Sequence, residues 1–483
     1  MKAIPKTPFI TVVMNAIGAS FQPGVAAETQ QMSGLLSQRI LARLVGDVER
    51  LPALQSEAMD EYARWLAAAE PLLRLAGDVE LAIELERQLQ NRNYAGTEVA
   101  VQKICARLAV QSGRQEDESI ARNLLRKAAA IAHRVDIDFV SAYQDPLAQQ
   151  NNIGEARELI DAEKINSLTS WLRTQFVDNS NLTVSEVELI QGGFSKHTLF
   201  LNVQGAETIP ETLVIRMDWP ENPVDTTVLD EFDIIKTLYE AGVPVPRPYA
   251  MEPTGSVLGS PFILLDRIAG GNNGDNLDAN SGGKDLALDL ARSLAALHSL
   301  PPDSFGNHIV GAHESVRDRM LREIGEYEVE WRVLGSPSVT LEIAFSWLKE
   351  NIELADGPRA LVHCDIGCHN ILTKDDRLVS IIDWELARIG TAAQDLGYAY
   401  PTVIQLCDWN DFMAAYVDAG GKPPTKQQAD YYMLWGFVWL MVNVSKAGVA
   451  FNAFPDDIRL GYADAYLSMR FQSRLADQLQ SIL

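Results

Sequence analysis

The hydrophobic period of this chain changes twice, and that constrains its fold more than any single motif. Between about residues 28 and 145, "LLSQRILARLVGDVERL", "EYARWLAAAEPLLRLAG" and "ESIARNLLRKAAAIAHRV" carry apolar residues at i, i+3, i+4 and i+7. That spacing predicts amphipathic helices, with Gly77 and Gly113 at plausible breaks. After Ser167 the period drops to two. "LTVSEVELI", "HTLFLNVQG" and "ETLVIRMDW" alternate apolar with polar residues and read as strands. A helix follows in "TVLDEFDIIKTLYEAG", then "VPVPRPYAM" and the apolar strand "SPFILLD". From about residue 284 the helical period returns in "KDLALDLARSLAALHSL" and "VTLEIAFSWLKEN", interrupted by "LVHCDIGCHNIL" and "RLVSIIDWE". Strands, one helix, strands, then many helices describe an α+β, two-lobed arrangement with an all-α region ahead of it. The chain has 483 residues, too many for one core, so several domains are expected. The divisions read as a helical accessory domain over 1–150, a small β-rich lobe over 168–267 and a helical lobe over 268–483. The polar stretch "AYQDPLAQQNNIGEAR" (142–157) serves as linker. A cleft between two lobes is a natural ligand site.

Charge and cysteine content narrow the function classes. A net charge of −24 makes phosphate-backbone binding of nucleic acid a poor expectation. Only Cys105, Cys364, Cys368 and Cys407 occur, too few for a disulfide scaffold, so a reducing compartment is expected. The most apolar segment, "YYMLWGFVWLMVNV" (431–444), falls short of the roughly 20 residues that span a bilayer and predicts a buried helix rather than a membrane partner. The first 28 residues carry an early Lys and small residues near Ala26, as a leader would, but Pro5, Pro8 and Asn15 interrupt the apolar run. A cytoplasmic protein is the expectation.

"LVHCDIGCHNIL" admits two chemistries. His363, Cys364, Cys368 and His369 offer soft ligands that suit zinc. Yet four ligands within seven residues strain tetrahedral geometry, and no second cysteine pair stands elsewhere. The other chemistry is phosphoryl transfer. It needs a flexible loop over phosphates, a cation, Mg²⁺ and a carboxylate facing the acceptor hydroxyl. The chain offers each part in order. Gly192 and Gly193 in "QGGFSKHTLF", with Ser195 at the tip, suit a loop whose backbone approaches phosphate, although a Gly-Gly pair is also an ordinary turn. Arg216 in "LVIRMD" supplies a permanent cation where a Lys is common. Glu231 is placed to pair with it, with Asp230 and Asp233 as competitors. Asp365 stands as base, Asn370 five residues on as an oxygen ligand, and Asp383 in "IIDWE" as a second. Asp383 alone reads equally as a strand-ending turn residue. The ordered set favours phosphoryl transfer over zinc.

These pieces resemble the aminoglycoside phosphotransferase/choline kinase-like family. "GGFSKHT", "LVIRMD", "EFDIIKTLYEAGVPVPRPYAM", "VLGSPFILLDRIAGG", "LAALHSL", "LVHCDIGCHNIL", "IIDWELARIG" and "QDLGYAY" carry the likeness over about residues 185–450. "PVPRP", "LHSLPP" and "DWELARIG" look most like the subgroup related to the kinase-like domain fused to acyl-CoA dehydrogenases. The resemblance implies a bilobal protein-kinase-like fold with ATP and Mg²⁺ as cofactors. It implies Asp365 as catalytic base, Asn370 and Asp383 as metal ligands, and Arg216 on the nucleotide phosphates with Glu231 behind it. Leu265 and Asp266 would meet the adenine at the hinge, and Asp395 would brace the catalytic loop. Lys196 replaces a commoner Asn and is expected to add phosphate affinity, while Cys364 replaces a commoner Gly. A small-molecule hydroxyl is the implied acceptor: a hydroxylated metabolite, a hydroxyacyl thioester, or an amino alcohol or antibiotic. Glu385, Tyr432, Trp435 and Trp439 are candidates to enclose it, though aromatics at helical spacing are commonly core. The runner-up is a nucleotide-binding pseudokinase without turnover. The N-terminal helices are expected to regulate, to cover the cleft or to form a homo-oligomer.

Overall fold

The computed structural model describes residues 9–10, 13–14, 27–110, 115–141, 160–176, 181–190, 196–206, 208–218, 226–272, 274, 279, 282–306, 309–334, 337–453 and 458–483. The expected linker, 142–157, lies outside the described residues, as do Gly192, Gly193 and Ser195 of the glycine loop.

Five helices come first: α1 (Ala27–Glu49), α2 (Leu51–Ala76), α3 (Val79–Gln90), α4 (Tyr94–Ala109) and α5 (Gln115–Ser141). Gly77 closes α2 at φ 79°, a left-handed cap that glycine adopts without strain. Asn93 caps α4 by accepting from the Gly96 N–H. A helix the sequence reading did not anticipate, α6 (Ala162–Gln175), leads into the small lobe ahead of residue 168.

The small lobe is a five-stranded antiparallel sheet. Its strands β1 (Thr183–Ile190), β2 (Lys196–Gln204), β3 (Thr212–Asp218), β4 (Pro248–Glu252) and β5 (Phe262–Asp266) lie in the order β1-β2-β3-β5-β4. Period-two alternation puts Leu199, Leu201, Val203, Leu213, Ile215 and Met217 on one face, where Leu168 and Leu172 of α6 cover them. Arg216 therefore points to the opposite face. That face receives α7 (Val228–Glu240), which begins in a capping box between Thr227 and Asp230.

The chain then crosses to the second lobe. There β6 (Gly271–Asn272) pairs with a hairpin, and α8 (Lys284–Ser299), α9 (Val316–Leu334) and α10 (Val339–Glu350) precede a short strand, β7 (Arg359–Val362). The hairpin is β8 (Ile371–Lys374) and β9 (Arg377–Ile381), and β10 (Arg388–Thr391) pairs back on β7. The remaining helices are α11 (Ala392–Leu406), α12 (Trp409–Asp418), α13 (Lys426–Ala453), α14 (Ile458–Tyr462) and α15 (Ser468–Ile482).

Among the described residues, Lys426–Phe451 within α13 is long and apolar enough to cross a bilayer, a longer stretch than 431–444. Here α13 lies among α9, α10, α11 and α15, and Tyr431, Leu434, Val438 and Val442 are fully buried. A helix apolar on all sides needs such a surround. The largest apolar cluster joins α2–α5 to α9, α10, α13 and α15, so the N-terminal helices and the helical lobe share one core. Val101, Ile104, Ala128 and Leu85 are buried together with Phe345, Leu348, Leu475 and Leu479. A fragment beginning at residue 160 would bare the faces of α10 and α15 that α4 and α5 cover. We expect it to be recovered as aggregate by size-exclusion chromatography where the full chain elutes as a defined species, and a well-folded fragment would show instead that residues 1–150 form a separable unit.

Candidate functional site

The loop between β7 and β8 is built on one buried carboxylate. Asp395, near the start of α11, accepts the backbone N–H of His363 at 2.9 Å through Oδ2 and that of Cys364 at 2.8 Å through Oδ1. His298 Nε2 lies 3.0 Å from Oδ2, and its other nitrogen meets the Tyr416 hydroxyl at 3.0 Å. Burial alone would push the Asp395 carboxyl up, but His298, then His363, hold it below its ordinary range. These bonds fix Cys364 at φ 70°, a left-handed conformation rare outside glycine. That is the position where the resemblance implies a commoner Gly.

His363 carries the order onward. It is fully buried, its Nε2–H donates to the Ile382 carbonyl at 2.9 Å, and its Nδ1 accepts the Asp365 N–H at 3.2 Å. Both nitrogens are thus committed to backbone. The ring packs 4.6 Å from the Trp384 ring. Burial pushes the Cys364 thiol up to about 12, which opposes the thiolate that a metal needs. The zinc arrangement is not what these residues form.

Asp365 emerges from this turn with an uneven set of partners. His369 Nε2 stands 3.1 Å from Oδ2, and Asn370 Nδ2 donates to the same oxygen at 2.9 Å and to the Asp365 carbonyl at 3.0 Å. Oδ1 is buried and accepts no hydrogen bond. Burial would raise this carboxyl, but His369 outweighs it, helped by the nearby Tyr398 hydroxyl and by His363, and holds it at about 2. With its amide nitrogen on Asp365, Asn370 turns its oxygen away from that carboxylate. The Asn370 carbonyl accepts from Ile382 N–H at 2.9 Å, which sets Asn370 beside the residue before Asp383.

Asp383 itself has φ 68°, a second strained position in a short span. Its Oδ1 accepts from Arg216 Nη2 at 2.8 Å. Arg216 Nε lies 3.3 Å from Glu231 Oε2, so Glu231 is the helix partner; Asp230 serves the helix cap and Asp233 faces solvent. Burial would lower the Arg216 guanidinium, but Asp383, Glu231 and Glu385 raise it well above its ordinary value. Burial, opposed by Arg216 and reinforced by Asp383 and Glu385, pushes Glu231 up to about 7. Among the described residues, Glu231, Asp383 and Glu385 form a group whose oxygens approach within 4.8 Å of one another.

Other expected residues fall elsewhere. Lys196 is buried, its ammonium 2.8 Å from Asp218 Oδ1 and 2.7 Å from the Thr226 carbonyl. Asp218 in turn accepts the first N–H of α7. This corrects the expected phosphate contact: Lys196 ties β2 to the start of α7. Tyr432 and Trp435 are 1% and 4% exposed, the Tyr432 hydroxyl donates to the Ala355 carbonyl at 2.6 Å, and the Trp435 ring packs edge-on to Tyr327. Both are core side chains rather than acceptor contacts, because α13 is buried all round. Trp439 is half-buried against the same cluster. Glu385 belongs with Asp383 and Glu231, not with the aromatics. Leu265 is buried at the end of β5, and Asp266 N–H donates to the Arg247 carbonyl at 2.9 Å, where the chain leaves the sheet for β6. Sequence reasoning passed over Tyr398 and gave His369 no part beside Asp365. Nothing local signals Tyr398, but its ring touches Gly436 of α13, where a Cβ would come within 3.0 Å.

The sequence profile of the phosphotransferase enzyme family matches residues 186–432, just over half of the chain. The chain belongs to that family. Acyl-CoA dehydrogenase family member 11 of Rattus norvegicus is 26% identical over 244 residues, covering 48% of this chain and 30% of that protein. The Homo sapiens protein of the same description is 24% identical over 263 residues, covering 50% of this chain and 33% of its own. The chain thus spans about a third of the length of these relatives. A solved structure from Ralstonia eutropha, provisionally described as an aminoglycoside phosphotransferase, superposes with a TM-score of 0.50 at 17% identity. That superposition covers 65% of this chain and 98% of the other and shows a shared fold, the bilobal kinase-like one. The helices α1–α5 lie outside the family match.

Replacing Asp395 by Ala leaves His298 and two inward N–H groups without their acceptor. We expect a loss of about 3 kcal/mol or more in chemical denaturation, as when one partner of a buried pair is removed. A loss under about 1 kcal/mol would show that the loop does not depend on it.

Proposed function

We propose that this chain transfers the γ-phosphoryl group of ATP to a hydroxyl of a small molecule, with Mg²⁺ as the metal. The observation that carries this reading is the Asp365 carboxylate, held well below its ordinary range and fixed through Oδ2 by His369 and Asn370. Family membership supports the reaction class.

The residues present fit a magnesium ion. Asn370 and Asp383 offer hard oxygen donors, and Glu231 and Glu385 add two more carboxylates close by. Mg²⁺ held there would neutralise charge on the nucleotide phosphates. Arg216, between Glu231 and Asp383, presents its guanidinium to the same phosphates. Leu265 and Asp266 stand at the hinge where the resemblance puts the adenine, with the Asp266 N–H already taken by the Arg247 carbonyl. Asp365 accepts a hydrogen bond from the acceptor hydroxyl and orients its oxygen for in-line attack. The hydroxyl oxygen bonds to the γ-phosphorus, the bond to the β–γ bridging oxygen breaks with its electrons leaving on ADP, and the hydroxyl proton passes to Asp365. A carboxylate held at about 2 is a weak base, so the proton moves late, once the new P–O bond has made it acidic.

The acceptor is a hydroxylated metabolite, a hydroxyacyl thioester, or an amino alcohol or aminoglycoside-like compound. The acyl-CoA dehydrogenase names of the relatives put hydroxyacyl thioesters first in a panel. ADP release with MgATP across that panel is the test. Asp365→Ala should lower kcat by about 10²- to 10⁴-fold, and turnover that survives the change would remove Asp365 from the chemistry. Nucleotide binding without turnover on any acceptor would favour a pseudokinase. The Asp365 carboxyl is lowered, so it stays charged down to about pH 2 and its protonation gives no acid limb between about pH 5 and 8. A kcat profile with an acid limb in that window that disappears in Asp365→Asn would contradict this.

A further inference from the structure

Asp365 needs more than a place in the loop: its carboxylate must be held in one orientation toward the acceptor. His369 and Asn370 both address Oδ2, at 3.1 and 2.9 Å, and leave Oδ1 without a hydrogen bond. An ionised carboxylate only accepts, so the His369 nitrogen facing it must carry the proton.

The two donors sit on one short turn, Cys368–Asn370, closed by the Asn370 N–H to the Gly367 carbonyl at 3.0 Å. The His369 carbonyl also accepts from the Asn272 amide of β6, which anchors the turn to the crossing between lobes. Asn370 has a second duty, since its amide oxygen is a metal ligand in the proposed reaction, and a ligand pulled by a metal can rotate its nitrogen away from Asp365. His369 has no such duty.

We propose that His369 is a positioning residue for phosphoryl transfer: its Nε2–H holds Oδ2 of Asp365 and so fixes the orientation in which the carboxylate meets the acceptor hydroxyl. This rests on the phosphotransferase reading above. His369 does not touch ATP, so its removal affects the chemical step and not nucleotide binding.

The experiment compares wild type with His369→Phe, which keeps a ring but no donor, and His369→Gln, which restores an N–H. ADP release is followed with MgATP and the best acceptor of the panel, or with water as acceptor if none exceeds it. We expect His369→Phe to lose about 10- to 100-fold in kcat with KM for ATP within about twofold, and His369→Gln to recover most of the loss. His369→Ala serves as the donor-free variant if the Phe ring disturbs the fold, as judged by thermal melting. Wild-type kcat in a folded donor-free variant overturns the proposal, as does a Gln variant as impaired as Phe or a parallel rise in KM for ATP. Absence of any ADP release by wild type is a different result: it removes the phosphotransferase reading, and the role of His369 with it.

Discussion

The site depends on a carboxylate that does no chemistry. Asp395 is fully buried and takes two consecutive backbone N–H groups, those of His363 and Cys364, while His298 stands behind it. Consecutive amides around a left-handed residue form a concave donor pair, and a buried carboxylate is the natural anion for it. The arrangement works in both directions. The amides and the histidine keep the carboxyl ionised in a dry place, and the carboxylate compensates a Cys364 conformation that otherwise costs about 1–3 kcal/mol. From there His363 reaches the backbone of Asp365 on one side and of Ile382 on the other. Asp365 and the residue next to Asp383 are set by the same imidazole.

A second constraint joins the lobes. Arg216 leaves the sheet on the face opposite Leu213 and Ile215, touches Glu231 of α7 and reaches Asp383 beyond the β8–β9 hairpin. Three carboxylates, Glu231, Asp383 and Glu385, surround one guanidinium. Fully ionised, they leave two negative charges uncompensated in a partly buried place. That imbalance is why burial drives Glu231 toward neutrality despite a cation 3.3 Å away. A divalent cation, as in the proposed reaction, would remove it.

Much of this was legible in the sequence because it is local. Period-two segments became β1, β2, β3 and β5, and period-3.6 segments became α2, α5, α7, α8 and α10. The order of Arg216, Glu231, Asp365, Asn370 and Asp383 was readable because each lies at the end of a recognisable element. The preference for Glu231 over its competitor Asp230 has its physical reason only in the fold, where the helix cap claims Asp230. Lys196 was misread for a similar reason: its partner Asp218 stands opposite it across β2 and β3, and only the strand register shows it. Tyr398 and the bond from His369 to Asp365 depend on how α11 and a three-residue turn face the loop, which no periodicity encodes. The aromatics Tyr432 and Trp435 looked like a pocket, yet an all-round apolar helix has no face to spare for one.

The all-round character of α13 also explains the architecture at the chain ends. The family match stops at residue 432, early in α13, while the helix runs on to Ala453 and α15 follows. The segments past that point and before residue 186 lie outside the profile match. These two segments are not independent ornaments. Phe139 and Val135 of α5 lie in one core with Phe471 and Leu475 of α15, and His133 meets Asp477 at 2.8 Å. On the other side Gln102 of α4 bonds Glu342 of α10 at 3.0 Å and receives the Ser338 N–H at 3.3 Å, so the N-terminal helices also fasten the start of α10. A kinase-like helical lobe that extends its last helices into apolar surface requires a cover, and α2–α5 supply it. The same helices that look like an accessory unit in the sequence are, energetically, the outer layer of the lobe that carries the Asp365 loop.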